Sequence, residues 1–522
     1  MKRILLLLIA LCTLTPLVAK QPRLVVQIVV GSMRAGDLER YSANFTEGGF
    51  RLLMERGAYY PTAAYDFQQT LSPVTLSTLA TGAMPSMHGV IGDRWWDYTT
   101  GMPVDLTDGR RGAGGYNLVV PTLAETLKHH HPKAHTVSLA LDATSAIVMG
   151  GKQGEVYWID AAECEWASSL YYLNSTPEWI ARSNREGYNL SYLLPDWRQL
   201  LDKKAYLNTR HNDIRLSIEG KRSTPNLKPR RIDVPLSDYI TRMRHTPAGN
   251  SVVLGFAKQA IANFELGKDE VPDLLNITLD ASRYIHRTYG PESIEVEDMY
   301  YRLDKDLADF LTFLHAQVPA EECVVVLTSD HGTSASYDLN EESPADRFNV
   351  QQFRVIINGF LNVRYGQGSW VLGYRERAIY LNHNLIYERN LNLEEVQNEV
   401  AIFAMQFSGV SHAQAATALR SSYFGSGYAQ RMQQSFYPRR SGDVLLNLEP
   451  GLIEEVDGVY SASGSMYGYD RHVPLILHGD HIGARTIRRE ASMTDVAPTL
   501  AHLMGIPAPG AAEGETLTEI VD

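Results

Sequence analysis

At 522 residues the chain has room for one large domain carrying insertions, or for two to three ordinary domains. Its 44% hydrophobic and 21% charged residues match a soluble globular protein and exclude both a disordered chain and a membrane bundle. A formal net charge of -12 argues against nucleic acid as a partner.

The chain opens on a basic start, Met1, Lys2 and Arg3, followed by an apolar run from Ile4 to Leu14 and a cleavage-type Leu17-Val18-Ala19. This order predicts a secretory signal peptide over 1–19 and a mature chain, 20–522, that is periplasmic or secreted. A spanning helix needs about 20 apolar residues, and neither this run nor any later segment has them. Cys12 follows the bulky Leu11 and a short apolar run, which argues against lipidation. Cys164 and Cys323 remain after cleavage, and Cys323 opens Cys-Val-Val-Val-Leu, which reads as a buried strand rather than half of a disulfide.

Short apolar runs rich in β-branched residues follow in order: Leu24 to Val30, Thr136 to Leu141, Leu274 to Leu279, Val324 to Thr328 and Val473 to Leu477. Such runs suit strands buried on both faces of a mainly parallel sheet. Helical spacing of Val252, Val253, Phe256, Ala257, Ala260, Ile261 and Phe264 predicts a helix over 252–264. Met299, Leu303, Leu307, Phe310, Leu311 and Leu314 predict a longer one over 294–318, with Asp298 and Asp304 on its exposed face. Two stretches, roughly 161–245 and 335–460, lack the alternation and read as insertions forming a cap over the sheet edge. The fold class is therefore α/β, a mainly parallel central sheet with helices on both faces and a cap.

Several separated stretches keep one order: Met33-Arg34, Thr81-Gly82-Ala83-Met84-Pro85-Ser86-Met87-His88-Gly89, Ile294-Glu295-Val296-Glu297-Asp298, Thr328-Ser329-Asp330-His331-Gly332, Tyr469-Asp470-Arg471-His472-Val473-Pro474 and Thr494-Asp495-Val496-Ala497-Pro498. Through them the chain resembles the alkaline phosphatase superfamily, in its type I phosphodiesterase/nucleotide pyrophosphatase-like branch and the related periplasmic phosphate monoesterases. The resemblance implies two zinc ions at the strand ends, which would activate a Thr or Ser nucleophile and clamp both ends of an in-line phosphoryl displacement from about 4 Å apart.

Carried over residue by residue, the resemblance gives Asp330, His331 and His472 as surviving metal ligands. Gly31 stands where an aspartate would end the first strand, and Arg283 and Arg287 stand in place of an Asp-x-x-x-His pair. Glycine offers no donor and a protonated guanidinium no lone pair. A register shift would offer Asp280 or His286, at the wrong spacing. Ser72 falls at the nucleophile position, though Ser72-Pro73 also reads as an N-cap and first helical residue. Asp93 replaces an asparagine that would donate to the phosphoryl oxygens, and a carboxylate there repels phosphate. The Lys-x-Arg substrate clamp of the monoesterases is matched by Ala140-Leu141-Asp142 and is missing. His88 and Asp495 read as structural, and His478 with His481 as a solvated turn.

The exchanges add as much positive charge as two zinc ions carry. Arg283 and Arg287 are therefore expected to fill the vacated space and neutralise Asp330, and they are candidates for holding an anionic or phosphorylated ligand. The reading that follows is an exported pseudoenzyme that binds a ligand or scaffolds a periplasmic protein partner and needs no cofactor. The alternative is an active metal-dependent phosphate mono- or diester hydrolase with Ser72 as nucleophile and zinc as cofactor.

Overall fold

The computed structural model describes residues 21–187, 197–208, 236–336, 347–480 and 482–520. The expected signal peptide and His481 lie outside them. A ten-stranded sheet carries the main body, with Leu24–Val30 at its centre. That strand pairs in parallel with Asp273–Leu279 on one side and Cys323–Ser329 on the other. Beyond Asp273–Leu279 come Thr136–Ala140 and Glu155–Ile159, also parallel. Beyond Cys323–Ser329, His472–His478 and then Ala58–Ala64 run antiparallel, each to its inner neighbour.

All seven residues of each central strand are buried, as apolar runs without alternation require. Successive side chains of the first strand enter opposite cores. Leu24, Val26, Ile28 and Val30 pack among Val252, Phe256, Met299 and Leu303 of helices Ala248–Asn263 and Ile294–Gln317. Val25 and Val29 face Val74 and Leu79 of Ser72–Thr81 and Leu500 of Val496–Leu503. Each such side chain contributes about 1.5–3 kcal/mol on burial. Both expected helices are present, the first beginning four residues early because Pro247 precedes its first turn. Cys164 and Cys323 are buried, and no disulfide joins them.

Asp298 and Asp304 depart from expectation: both are buried, because their helix is covered by segments whose backbone N–H groups need acceptors. Asp298 takes the Trp197 indole N–H and the Leu200 amide, both at 2.7 Å, and Asp304 takes the Phe50 amide at 2.8 Å. Within the region expected as a cap, a four-stranded antiparallel sheet orders Val371–Arg375, Ala378–Leu381, Val444–Leu448 and Val410–Ala415. It closes over its own cluster with Phe353, Ile357, Val396 and Val400 from two helices. Among the described residues no helix is long and apolar enough to cross a membrane.

Candidate functional site

Parallel strands flanking a central first strand open a crevice at their carboxyl ends, and here that crevice receives Gly31, Arg283, Asp330 and His331. Ser72 comes to it from the start of Ser72–Thr81. The expected capping role fails: Leu71 is the N-cap residue, and Ser72 points its hydroxyl to the strand ends instead. Its Oγ lies 2.6 Å from Asp330 Oδ2 and 3.1 Å from His331 Nε2. Asp330 Oδ1 accepts the backbone N–H of Ser32 and of His331, each at 2.8 Å. Ser32 makes its contact from the left-handed region, at φ 59°.

His331 Nδ1 stands 2.6 Å from the Gly332 carbonyl, which fixes its proton there and leaves the Nε2 lone pair toward Ser72 and toward Ser463 Oγ at 3.3 Å. Burial pulls this imidazole below its usual range, Arg283 adds to the effect, and Asp330 with the Gly332 carbonyl opposes it. For Asp330 burial acts upward, but His331, Arg283 and the hydrogen bonds from Ser72 and Ser32 outweigh it and hold the carboxyl low.

Arg283 fills the neighbouring space. Its Nη2 reaches Asp142 Oδ2 at 2.8 Å and Asp280 Oδ1 at 3.3 Å, while Nη1 is 3.9 Å from Asp330 Oδ2. Asp142 is held further by Arg244 Nη2 and by the Tyr284 hydroxyl, both at 2.7 Å. The missing-clamp position thus anchors arginines rather than substrate. Asp280, pushed up to about 7 by burial and then by Asp142, is restrained by Arg283 and the Ser145 hydroxyl. Gly31 belongs to the same arrangement: a Cβ there would lie 2.8 Å from Arg283 Cβ, closer than atoms pack.

The expectation that both arginines neutralise Asp330 holds for Arg283 alone. Arg287 is exposed on the wall of the adjoining cavity, and no ion pair joins it to a described residue. His472 is a correction as well. It begins a strand at this end of the sheet, but its imidazole turns to Glu490, 3.2 Å away, and does not line the cavity. The neighbouring wall comes instead from Ser461 to Gly464. Asp280 belongs to the Arg283 network, and His286 is buried apart from it, its Nδ1–H donating to the Ser282 carbonyl at 2.8 Å. His88 is buried against Thr78 and the Val90 amide, Asp495 accepts the Ser492 and Glu515 amides, and His478 closes its strand near the Arg56 carbonyl.

Among the described residues no three His, Cys, Asp or Glu side chains converge as metal donors. Asp330, His331 and Ser72 offer one corner, and the second corner is arginine and glycine. The donor set does not fit a pair of zinc ions. What it can do is present a hydroxyl between a carboxylate and an imidazole beside fixed cations.

The adjoining cavity, about 300 Å³, has a wall not foreseen from the sequence: Glu376, Arg377 and Glu454, facing Asp93. Glu376 and Arg377 form the turn of the cap hairpin, with φ 49° and 58°. The signal available was the charged Arg375-Glu376-Arg377 between two strand-like runs.

Sheet order, crevice and the Ser72–Asp330–His331 corner define a member of the alkaline phosphatase superfamily. The model of the type I phosphodiesterase/nucleotide pyrophosphatase family matches residues 25–455, and the chain belongs to that family. It is 26% identical to alkaline phosphatase PafA of Elizabethkingia meningoseptica, over 96% of this chain and 95% of the relative. A Myroides odoratus protein named calcium-transporting ATPase is 27% identical, over 96% and 95%. The crystal structure of wild-type PafA superposes with a TM-score of 0.88 at 25% identity, covering 96% of this chain and 99% of that one.

Proposed function

We propose that the chain recognises phosphate esters at the crevice beside Ser72 and that fixed arginines have taken over the electrostatic part that a metal pair plays in two-metal phosphoryl transfer. One observation carries this: Arg283 occupies the space beside Gly31 and holds its guanidinium between Asp142, Asp280 and Asp330. Guanidinium groups pair with phosphoryl oxygens in a fork and need no exchangeable ion, and Arg287 and Arg377 on the same cavity form no ion pair with a described carboxylate. On this reading the protein binds its ester without two-zinc turnover.

A second reading is favoured by the relatives, four of which are named alkaline phosphatases and match over most of their length. The chain would then hydrolyse phosphate mono- or diesters, with Ser72 Oγ attacking phosphorus. Its proton would pass to His331 Nε2, 3.1 Å away, and the ester oxygen would leave with the bond electrons and take up a proton. Water would then cleave the phosphoryl-Ser72 bond to release phosphate and restore the hydroxyl. Incubation with nitrophenyl phosphate and bis(nitrophenyl) phosphate separates the two. Phosphate binding with no turnover above that of Ser72→Ala supports the first reading. Turnover that Ser72→Ala abolishes establishes the hydrolase, and zinc measured alongside decides whether His331 Nε2 takes the proton or holds a metal. We also propose export, with 1–19 removed; the amino-terminal sequence of the mature protein, expected to begin near Lys20, checks it.

A further inference from the structure

We propose that the ligand of this crevice carries a primary ammonium group close to its phosphoryl group, the class of aminoalkyl phosphate esters. The inference rests on the phosphate-ester reading above and adds the second half of the ligand.

The cavity is bipolar. Arg283, Arg287 and Arg377 supply cations, and Asp93, Glu376 and Glu454 supply carboxylates. Of the cations, Arg283 is committed to Asp142 and Asp280, whereas Arg377 is not spent on any described carboxylate. Its side chain is 7% exposed, its Nη2 reaches only the Ser463 carbonyl at 3.4 Å, and its Nη1 is buried without a partner. A buried guanidinium left this way is costly unless an anion completes it. A ligand anion between Arg377 and Arg287 does so.

The carboxylates make the matching demand. Glu376 packs against Gly92, where a Cβ would meet its Cγ at 2.5 Å, so it sits next to Asp93. No ion pair joins either carboxylate to a described cation, while Glu454 Oε1 is steadied by the Tyr374 hydroxyl at 2.7 Å. Burial pushes the Glu376 carboxyl up to about 8, and Asp93 and Glu454 push the same way, against the Arg375 and Arg377 charges. Three carboxylates lining one cavity repel a simple phosphate and each other; an ammonium group with three N–H donors relieves both. No Phe, Tyr or Trp lines the cavity among the described residues, so a quaternary ammonium lacks the cage it needs and a hydrogen-bonding primary amine fits better.

Calorimetry with a matched pair of probes, 2-aminoethyl phosphate and ethyl phosphate, tests this on the full chain. The expected result is binding of both, with the amine ester tighter by about ten-fold or more. Glu376→Gln and Asp93→Asn should erase that advantage without weakening ethyl phosphate. Equal affinities for the two probes in the unaltered protein overturn the inference while leaving the phosphate site standing. So does an advantage that survives both substitutions. Binding of neither probe brings down the phosphate-ester reading itself, and the inference with it. The comparison of probes on the unaltered protein decides even where a variant fails to fold.

Discussion

Arg283 touches carboxylates from three elements, and its charge is fixed where a metal's would be removable. Burial alone would pull its guanidinium down, but Asp280, Tyr284, Asp142 and Asp330 push it up, so it stays charged. Removing it strands Asp142 and Asp280 in a buried setting. We expect Arg283→Met to destabilise the protein by about 3–5 kcal/mol in urea titrations, the usual cost of breaking a buried ion pair from one side. A loss below roughly 1 kcal/mol would show that the network compensates nothing. At this scale the sequence was legible where motif order fixed the register. Ser72, Asp330, His331, Gly31 and Arg283 all reach the same crevice. His472 was not, because a histidine before Val-Pro does not say which way the first side chain of a strand turns, and Glu490 claims it.

At the scale of elements, the turn Glu376–Arg377 puts two long charged side chains in the left-handed region. Glycine is the usual occupant there, so both residues carry backbone strain that a purely structural turn would shed. The carboxyl of Glu376 also sets a pH dependence. Its folded value, about 8, lies above the ordinary carboxylate range because of burial and then Asp93 and Glu454. The folded state therefore holds the proton more tightly than the unfolded chain. Its contribution to stability is complete below the unfolded range and is lost as pH rises through 8. Thermal denaturation should find Glu376→Gln equal to the parent near pH 5 and more stable by on the order of 2 kcal/mol near pH 9. An unchanged pH profile would refute that environment for Glu376. No periodicity marks such a turn, whereas the helix Ile294–Gln317 was legible from its apolar spacing over six turns. What spacing could not show was that Asp298 and Asp304, on its polar side, are covered by other segments.

Among the described residues four apolar clusters divide the labour: two large ones flank the central sheet, one belongs to the cap, and a small one around Ile147 and Trp158 closes the edge of the sheet. The parallel sheet was legible because strands buried on both faces read as unbroken apolar runs. The cap's sheet was not, since strands of only four to six residues, two fully buried and two partly exposed, share no common pattern. Because Phe353 packs within the cap cluster, Phe353→Ala, a loss of about 3–5 kcal/mol, should act there first. Hydrogen exchange should speed up across Val371–Arg375, Ala378–Leu381 and Val444–Leu448 while Leu24–Val30 and Cys323–Ser329 stay protected. Phosphate affinity should fall with it, since Arg377 rides on that hairpin; uniform acceleration in both bodies would instead mean one cooperative unit. The fit between Gly31 and Arg283 also limits what one exchange can do. An aspartate placed at 31 meets the Cβ and backbone of residue 283 whatever side chain stands there, and an aspartate placed at 283 abandons Asp142 and Asp280 to mutual repulsion. Each placement is unfavourable by itself, so no single exchange at 31 or 283 builds a metal-holding corner in this fold.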